Sequence, residues 1–215
     1  SLFQADELSE IAFFGMETDD TWSRDHGPLA TFHHGRPVVN DFRFNGWGEK
    51  FFAGNDNAIT RNLYQNGAFR SGSLYKLHDW VLEGGSIETD GEGTILTTSQ
   101  CLLNINRNGA VSAEKAEKKL KENLGAERVL WLDHGHLEGD DTDSHIDTLA
   151  RFCDRNTICY VSCSDLQDRH FVPLKKMEQQ LQGFRTVDGS PYRLVPLPMV
   201  SPQRAMLSVF MTPWM

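Results

Sequence analysis

Three polar segments of the chain, residues 19–28, 82–87 and 139–147, hold more charged, histidine and glycine residues than a buried core requires. In the third segment, His145 and Asp147 point to the same side if the backbone is extended, because side chains along a strand alternate between two faces. A carboxylate beside an imidazole stabilises the imidazolium, which gives a group that exchanges a proton near neutral pH. The alternative is a solvated acidic loop with one surface histidine.

The first segment places Asp25 between Arg24 and the Gly27-Pro28 pair, which predicts a turn directly after the carboxylate. Neighbouring residues of a strand face opposite ways, so Arg24 is not expected to neutralise Asp25. The carboxylate of Asp25 is then available to a ligand. A surface ion pair between Arg24 and Asp25 is the competing interpretation.

The second segment ends an apolar run with Glu83, which two glycines follow. A buried glutamate is costly unless it is paired, so Glu83 is either a functional carboxylate or an ordinary strand end before a turn. Trp22 is either a core or rim aromatic or a ligand platform. Together the three segments predict a pocket that suits a planar guanidinium, because two carboxylates can bind its N–H groups and an indole can stack on its face.

The acidic and histidine residues between positions 133 and 147 also have the ligand types that zinc or a two-metal hydrolase uses. They lack a His-x-x-x-His pair and the glycine at the sixth position of a calcium loop. A metallohydrolase is therefore the lesser alternative, and no metal site is predicted. The residues concerned are Asp133, His134, His136, Asp140, Asp141, Asp143, His145 and Asp147.

Composition limits the partners and the compartment. The chain has 215 residues and a net charge of −9, with scattered lysine and arginine, which argues against a nucleic-acid partner. No apolar run approaches the roughly 18 residues of a membrane span, so no membrane partner is expected. Cysteines without Cys-x-x-Cys spacing, and the lack of a basic then apolar N-terminal stretch, predict buried free thiols in a cytoplasmic protein. The cysteines are Cys101, Cys153, Cys159 and Cys163.

Short apolar runs separated by glycine, asparagine and aspartate predict one compact α/β or α+β unit. Helices are predicted at residues 112–124, with Ser112 as cap and Gly125 as stop, and at residues 174–182. Residues 56–66 are either helix or loop. Residues 91–132 are predicted to form a strand–loop–helix–strand module, and similar modules are expected beside it. The proline-rich sequence after residue 193 is not predicted to contain a closing strand. Strands are predicted at residues 10–15, 29–33, 38–42, 94–98, 128–132 and 157–162.

Five motifs, in order along the chain, closely resemble the agmatine deiminase family, which includes bacterial peptidylarginine deiminase-like proteins. The resemblance implies a pentein fold, a pseudo-fivefold α/β propeller of ββαβ modules around a central substrate pocket. It also implies that residues 1–215 are a single catalytic domain that holds the central modules of a longer deiminase. The motifs occupy residues 22–28, 44–48, 82–94, 102–108 and 141–152.

The resemblance implies a hydrolase that converts agmatine and water to N-carbamoylputrescine and ammonia, with no metal or organic cofactor. In the family, a cysteine thiolate attacks the guanidinium carbon, ammonia leaves, and water hydrolyses the thiouronium intermediate. By resemblance, Asp25 and Asp147 hold the guanidinium. His145 is then the general acid and base, and Glu83 orients and charges it. Trp22 lines the pocket.

The sequence departs from the family at the nucleophile. The glycine-rich His-Cys motif that carries it has no counterpart here, so none of the four cysteines is predicted as nucleophile. Ser144 also stands where the family usually has glycine. The chain alone is therefore expected to be inactive, and unpaired strand edges are expected to drive association with further copies. The alternatives are peptidyl-arginine or arginine as substrate, and a non-catalytic guanidinium- or polyamine-binding remnant.

Overall fold

One arrangement of three strands occurs three times in the computed structural model, which describes residues 11–199. In each copy, two antiparallel strands are followed by a helical crossover and by a third strand parallel to the second. The last three elements of this order match the strand–loop–helix–strand module predicted for residues 91–132, and the whole ββαβ order is the one that the family resemblance implies. The first module contains β1 (Leu29–His33), β2 (Arg36–Arg43) and β3 (Leu74–Val81); the second contains β4 (Ile87–Thr89), β5 (Thr94–Thr98) and β6 (Arg128–Leu132); the third contains β7 (Ala150–Asp154), β8 (Thr157–Ser162) and β9 (Arg193–Pro198).

The helices lie before the first module or in the crossovers. Three single turns of 3-10 helix accompany them, at Asp56–Ala58, Gly84–Ser86 and Ile146–Thr148. Among residues 11–199, no helix combines the length and the apolar character that crossing a bilayer requires. The helices are α1 (Ser23–His26), α2 (Gly46–Glu49), α3 (Ile59–Gln65), α4 (Ser99–Leu102), α5 (Ile105–Asn108), α6 (Ala113–Leu124) and α7 (Phe171–Gly183).

The second module shows how local sequence forms the repeat. The Ser112 side chain accepts a hydrogen bond from the backbone N–H of Lys115 and so caps α6. The helix stops at Gly125, which adopts a left-handed conformation with φ of 75°. Ala116 and Leu120 form the buried face of α6. The crossover therefore packs an amphipathic helix on the sheet before β6 pairs in parallel with β5.

Two apolar clusters join the modules, and β5 contributes to both. Ile95 lies in a cluster with Trp80 of the first module, whereas the next residue, Leu96, lies in a cluster with Ile158 of the third module. Adjacent residues of a strand face opposite sides of a sheet, so β5 is covered on both faces. This double packing fixes the second module between its neighbours.

Most of the predicted elements are confirmed. The strands at residues 29–33, 94–98, 128–132 and 157–162 match residue by residue, and the predicted strand at 38–42 lies within β2. The predicted helix 174–182 lies within α7, and residues 56–66 are mostly helical.

Two predictions about strands are wrong. Residue 10 lies outside the described part of the chain, and residues 11–15 form no strand. The proline-rich text after residue 193 does supply a strand, because β9 pairs in parallel with β8. Pro196 and Pro198 have no N–H to donate, but β9 lies at one side of its sheet, where a strand needs ladder bonds along only one edge.

Candidate active site

The connections that lead into the first and third modules line one cavity of about 530 Å³, and the connection that leads into the second module packs against both. α1 leads into β1, the Gly84–Ser86 turn leads into β4, and the Ile146–Thr148 turn leads into β7. These connections carry all the residues that the sequence predicts for the site. The cavity is lined by Asp20, Trp22, Arg24, Asp25, Trp47, Phe51, Asp141, Thr142, His145, Asp147 and Thr148.

Gly85 lies at the point where the predicted groups meet. A Cβ atom at this position would lie 2.6 Å from Asp25 Oδ1, 2.6 Å from His145 Nδ1 and 2.8 Å from Asp147 Oδ2. Glycine alone leaves these atoms undisturbed, because contacts below 3 Å force the surrounding groups apart. Side chains from the first and third connections therefore surround a single point on the second connection.

Asp25 is buried and is held by two protein donors. Trp47 Nε1 donates to Asp25 Oδ2 over 2.9 Å, and the Gly85 backbone N–H donates to Asp25 Oδ1 over 2.8 Å. His145 Nδ1 lies 3.5 Å from the same Oδ1 atom. Arg24 instead donates to the backbone oxygen of Ile87, so it does not pair with Asp25, as expected. The strand geometry on which this expectation was based is wrong, because Arg24 and Asp25 lie in the short helix α1.

His145 is 2% exposed, and its two ring nitrogens face different groups. Nδ1 points to Asp25, whereas Nε2 lies 3.8 Å from Glu83 Oε2 and has no hydrogen-bond partner within the described residues. Asp147 lies in a 3-10 turn, so the predicted extended segment is wrong. The turn nevertheless brings Asp147 to the Nδ1 side of the ring, as the atoms around Gly85 show.

The pKa of the Asp147 carboxyl lies above its ordinary value. Burial raises this pKa, the nearby His145 lowers it in part, and the negative charge of Asp25 raises it further. An incoming cation would relieve this unfavourable environment. The groups around Asp147 therefore do not supply enough positive charge to balance its carboxylate.

Glu83 is fully buried on the opposite side of His145. Arg107 Nε lies 2.9 Å from both Glu83 oxygens, and both side chains are 0% exposed. Burial alone would raise the pKa of Glu83, but the contacts with His145 and Arg107 outweigh it and hold this pKa below the ordinary value. The buried glutamate is thus paired, which the sequence analysis required for a functional carboxylate.

An ion-pair network continues from Arg107 to the surface. Arg107 Nη1 donates to Asp143 Oδ2 over 2.7 Å, and Arg107 Nη2 donates to the backbone oxygen of Thr142 over 2.9 Å. Lys50 Nζ completes the network 2.8 Å from Asp143 Oδ1. Asp143 and Ser144 both adopt positive φ angles, of 65° and 64°. Ser144 therefore occupies a left-handed position that glycine adopts more readily.

A left-handed turn supplies Trp47 to the site. Gly46, Trp47, Gly48 and Glu49 have φ angles of 68°, 57°, 83° and 68° in succession. Such a conformation costs about 1–2 kcal/mol for each residue that is not glycine. The Asn45 side chain accepts a hydrogen bond from the Gly48 N–H, and the Trp47 hydrogen bond to Asp25 adds a further restraint.

The sequence analysis missed Trp47, Arg107 and Lys50 as site residues. Trp47 and Arg107 lie in two of the five motifs, at residues 44–48 and 102–108, but nothing in those motifs alone indicated a role. Trp22 lines the cavity as predicted and is 66% exposed, so it forms part of the rim. Phe51, 49% exposed, is a second rim aromatic.

The acidic loop at residues 133–147 does not assemble a metal site. Asp140 accepts hydrogen bonds from the backbone of Thr142 and Ser144, and Asp143 is neutralised by Lys50 and Arg107. Within residues 11–199, one set of metal-binding residue types comes together, namely Glu83, Cys101 and His145. This set fits a metal poorly, because Arg107 occupies both Glu83 oxygens.

The four cysteines are free thiols, as predicted, but only Cys101 is buried, whereas Cys159 and Cys163 are half-buried and Cys153 is exposed. Cys101 lies behind Glu83, with Sγ 4.0 Å from Oε2. Burial and the charge of Glu83 raise the pKa of this thiol well above its ordinary value, so it remains protonated at neutral pH. In the part of the chain that the structure describes, no cysteine lines the cavity.

Comparison with known proteins agrees with the fold. The repeated ββαβ modules around a central cavity define a pentein protein of the α/β class, and the solved structures most similar to the chain share this fold. A model of the family described as Porphyromonas-type peptidyl-arginine deiminase matches residues 2–212. The chain belongs to this family.

Individual relatives are described either as agmatine deiminases or as an arginine deiminase. An agmatine deiminase from Stutzerimonas stutzeri is 33% identical over 88% of this chain and 52% of its own length. A Porphyromonas gingivalis structure, provisionally described as an arginine deiminase, is 54% identical, with a TM-score of 0.85 over 87% of this chain and 56% of its own. A cysteine-to-serine variant of the C. jejuni agmatine deiminase with substrate bound is 41% identical, with a TM-score of 0.84 over 94% and 58%. The chain spans about half the length of the curated relatives it matches.

Proposed function

We propose that this chain is part of the catalytic domain of an agmatine deiminase-like hydrolase, which acts on a guanidinium group. The convergence of Asp25, His145 and Asp147 around Gly85 carries the proposal. The names of the curated relatives support agmatine as the substrate, with N-carbamoylputrescine and ammonia as products.

The cavity favours a cationic ligand. Four of its lining residues are acidic, Asp20, Asp25, Asp141 and Asp147, and one is basic, Arg24. The guanidinium binds between Asp25 and Asp147, because each carboxylate can accept N–H bonds on one edge of the planar cation. Trp47 and Gly85 fix the Asp25 oxygens in place before the ligand arrives, which lowers the entropy cost of binding. Trp22 offers an indole face at the rim.

His145 moves the protons of the reaction. A cysteine thiolate adds to the guanidinium carbon, Nδ1 gives a proton to the departing ammonia, and the C–N bond breaks. Nδ1 then takes a proton from the water that attacks the thiouronium carbon, and the thiol leaves. Glu83, on the Nε2 side, stabilises the imidazolium. The substrate-bound relative is a cysteine-to-serine variant, which supports a cysteine nucleophile in the family.

Agmatine and arginine differ at the end of the molecule opposite the guanidinium. Asp20 and Asp141 extend the acidic lining beyond Asp25 and Asp147, and this charge favours a second cation over a carboxylate. Peptidyl-arginine is the second candidate, because the family model that matches the chain bears that name. A peptide arginine has neither the second amine of agmatine nor a free carboxylate, so its affinity is expected to lie between those of agmatine and arginine.

Calorimetric titration of the 215-residue chain with agmatine, arginine and putrescine tests the site without requiring turnover. We expect agmatine to bind most tightly and Asp147→Asn to weaken it by about tenfold to a hundredfold, since a hydrogen bond to a charged group contributes ~1.5–3 kcal/mol. Asp147→Asn removes the charge and keeps the shape. Asp79→Asn, at an exposed position paired with Arg43, is the matched control and should leave binding unchanged. Equal binding of agmatine and putrescine would contradict a guanidinium site.

A further inference from the structure

α5 joins three separate parts of the molecule through three successive residues. The backbone oxygen of Asn106 accepts a hydrogen bond from Asn45 Nδ2, 2.9 Å away, beside the left-handed turn. The Asn108 side chain bonds to both the N–H and the C=O of Val81, each at 2.9 Å. The helix is thereby docked on the end of β3, two residues before Glu83. This docking brings Arg107, between the two asparagines, onto the Glu83 carboxylate.

Arg107 is the countercharge of Glu83. Apart from His145 in its protonated form, it is the only cation within salt-bridge distance of Glu83 in the described residues. Its remaining nitrogens are held by Asp143 and Thr142, so the guanidinium cannot turn away from Glu83. Because both side chains are fully buried, water cannot replace Arg107 as a partner.

We propose that Arg107 is a positioning residue that keeps Glu83 ionised and directed at His145 Nε2. The neutral imidazole then carries its proton on Nε2, and Nδ1, beside Asp25 and Asp147, becomes the nitrogen that exchanges protons in the cavity. The proposal rests on the function proposed above only where it assigns proton exchange in the cavity to Nδ1. Its test requires neither substrate nor turnover, so the two can fail separately.

The charged and titratable groups around the ring fix the sign of the effect. Asp25 and Asp147 face the ring from the first and third connections, and Glu83 and the Cys101 thiol face it from the other side. Without Arg107, burial raises the pKa of Glu83, and the contact with His145 alone opposes it. A Glu83 that takes up a proton is neutral and no longer holds the Nε2 proton of His145.

Ring-nitrogen NMR of the 15N-histidine-labelled chain gives the tautomer of His145, and we expect the neutral wild-type ring to carry its proton on Nε2. The carboxyl 13C signal of Glu83 gives the pH at which this carboxylate takes up a proton. In Arg107→Met, we expect this pH to rise by at least about one unit, a tenfold change in proton affinity. Arg43→Met is the matched control, since it removes an arginine from an exposed pair with Asp79 and should change neither signal.

A second pair of variants separates charge from packing. Glu83→Gln should reduce the population of the Nε2 tautomer of His145 as much as Arg107→Met does, and the double variant should add little, because both changes remove the same carboxylate charge. Additive changes would overturn the proposal, as would an unchanged Glu83 signal in folded Arg107→Met. An Arg107→Lys variant should restore most of the wild-type behaviour of Glu83, because a lysine cation can still reach this carboxylate.

A direct measurement on the unmodified chain decides the matter if Arg107→Met does not fold. The carboxyl 13C signal of Glu83 is followed between pH 3 and pH 8. We expect Glu83 to take up its proton at a pH below the ordinary pKa of a glutamate carboxyl. If Glu83 takes up its proton at or above the ordinary pKa of a glutamate carboxyl, Arg107 does not keep Glu83 ionised, and the proposal is wrong.

Discussion

The two ring nitrogens of His145 face regions that differ in solvent access and in charge balance. On the Nε2 side, Glu83 and Arg107 are fully buried and form a matched ion pair. On the Nδ1 side, Asp25 and Asp147 stand at an open cavity, no lysine or arginine of residues 11–199 forms a salt bridge with either, and the pKa of Asp147 is raised by burial and by Asp25. The side with the buried pair of Glu83 and Arg107, here called the sealed side, therefore fixes the ring. The side with Asp25 and Asp147, here called the open side, has excess negative charge and leaves room for a cationic ligand.

The largest expected effect comes from breaking the sealed side. Arg107→Met leaves a buried carboxylate without its partner, which typically costs about 3–5 kcal/mol of stability. Arg43→Met removes a surface pair with Asp79 and should cost less than about 1 kcal/mol. Urea unfolding followed by circular dichroism gives both values. Similar losses in the two variants would contradict the distinction between the sealed pair and a surface pair.

The open side is tested next, through Gly85. Gly85→Ala places a methyl group among the three groups that surround this position, so they must move apart. We expect agmatine affinity to fall by at least about a hundredfold, or roughly 2.7 kcal/mol, measured by calorimetry. Gly183→Ala is the control, because its Cβ meets no atom within 4 Å and its φ is not positive. Retention of wild-type affinity in Gly85→Ala would show that the three groups do not bind the ligand together.

The smallest expected effect is that of Asp147→Asn on stability, and its pH dependence is opposite to that of Glu83→Gln on the other side of the ring. A carboxyl with a raised pKa in the folded state destabilises the fold as pH rises through that value, whereas the lowered pKa of Glu83 stabilises the fold until pH falls through it. Asp147→Asn should therefore raise the melting temperature at pH 7 slightly, while it weakens agmatine binding. Glu83→Gln should lower the melting temperature at pH 7, and the loss should shrink at acidic pH. Thermal melts from pH 4 to pH 8 measure both, and a lower melting temperature for Asp147→Asn would contradict the assignment.

The sequence predicts local structure well where local physics decides it. Ser112 and Gly125 bound α6 because capping acts within one turn, and β5 was recognised because its apolar run is short and bounded by turn residues. Asp25, Glu83, His145 and Asp147 were found because carboxylates and a histidine beside glycines are unusual, and the family resemblance linked them. The spacing argument for Asp147 was nevertheless wrong in its geometry, since the residue lies in a turn.

Long-range contacts explain what the sequence did not predict. Arg107 reaches Glu83 across 24 residues and Asp143 across 36, and Trp47 reaches Asp25 across 22. A lone arginine in a polar segment, or a tryptophan between glycines, is indistinguishable from a loop residue until the chain is folded. β9 was missed for a related reason, because two prolines lower the strand propensity and only its place beside β8 makes them acceptable.

The threefold recurrence of one ββαβ unit has a consequence for how such a site can arise. Each connection brings only part of the chemistry: Asp25 from the first, Glu83 from the second, and His145 with Asp147 from the third. A solitary unit would have neither the cavity nor a complete set of groups. Several copies must therefore come together, by fusion or by association, before these groups can share one cavity. Afterwards each copy can diverge, as the crossovers have done: those of the first two modules deliver Trp47 and Arg107, whereas α7 of the third packs Leu174, Met177 and Leu181 into the core.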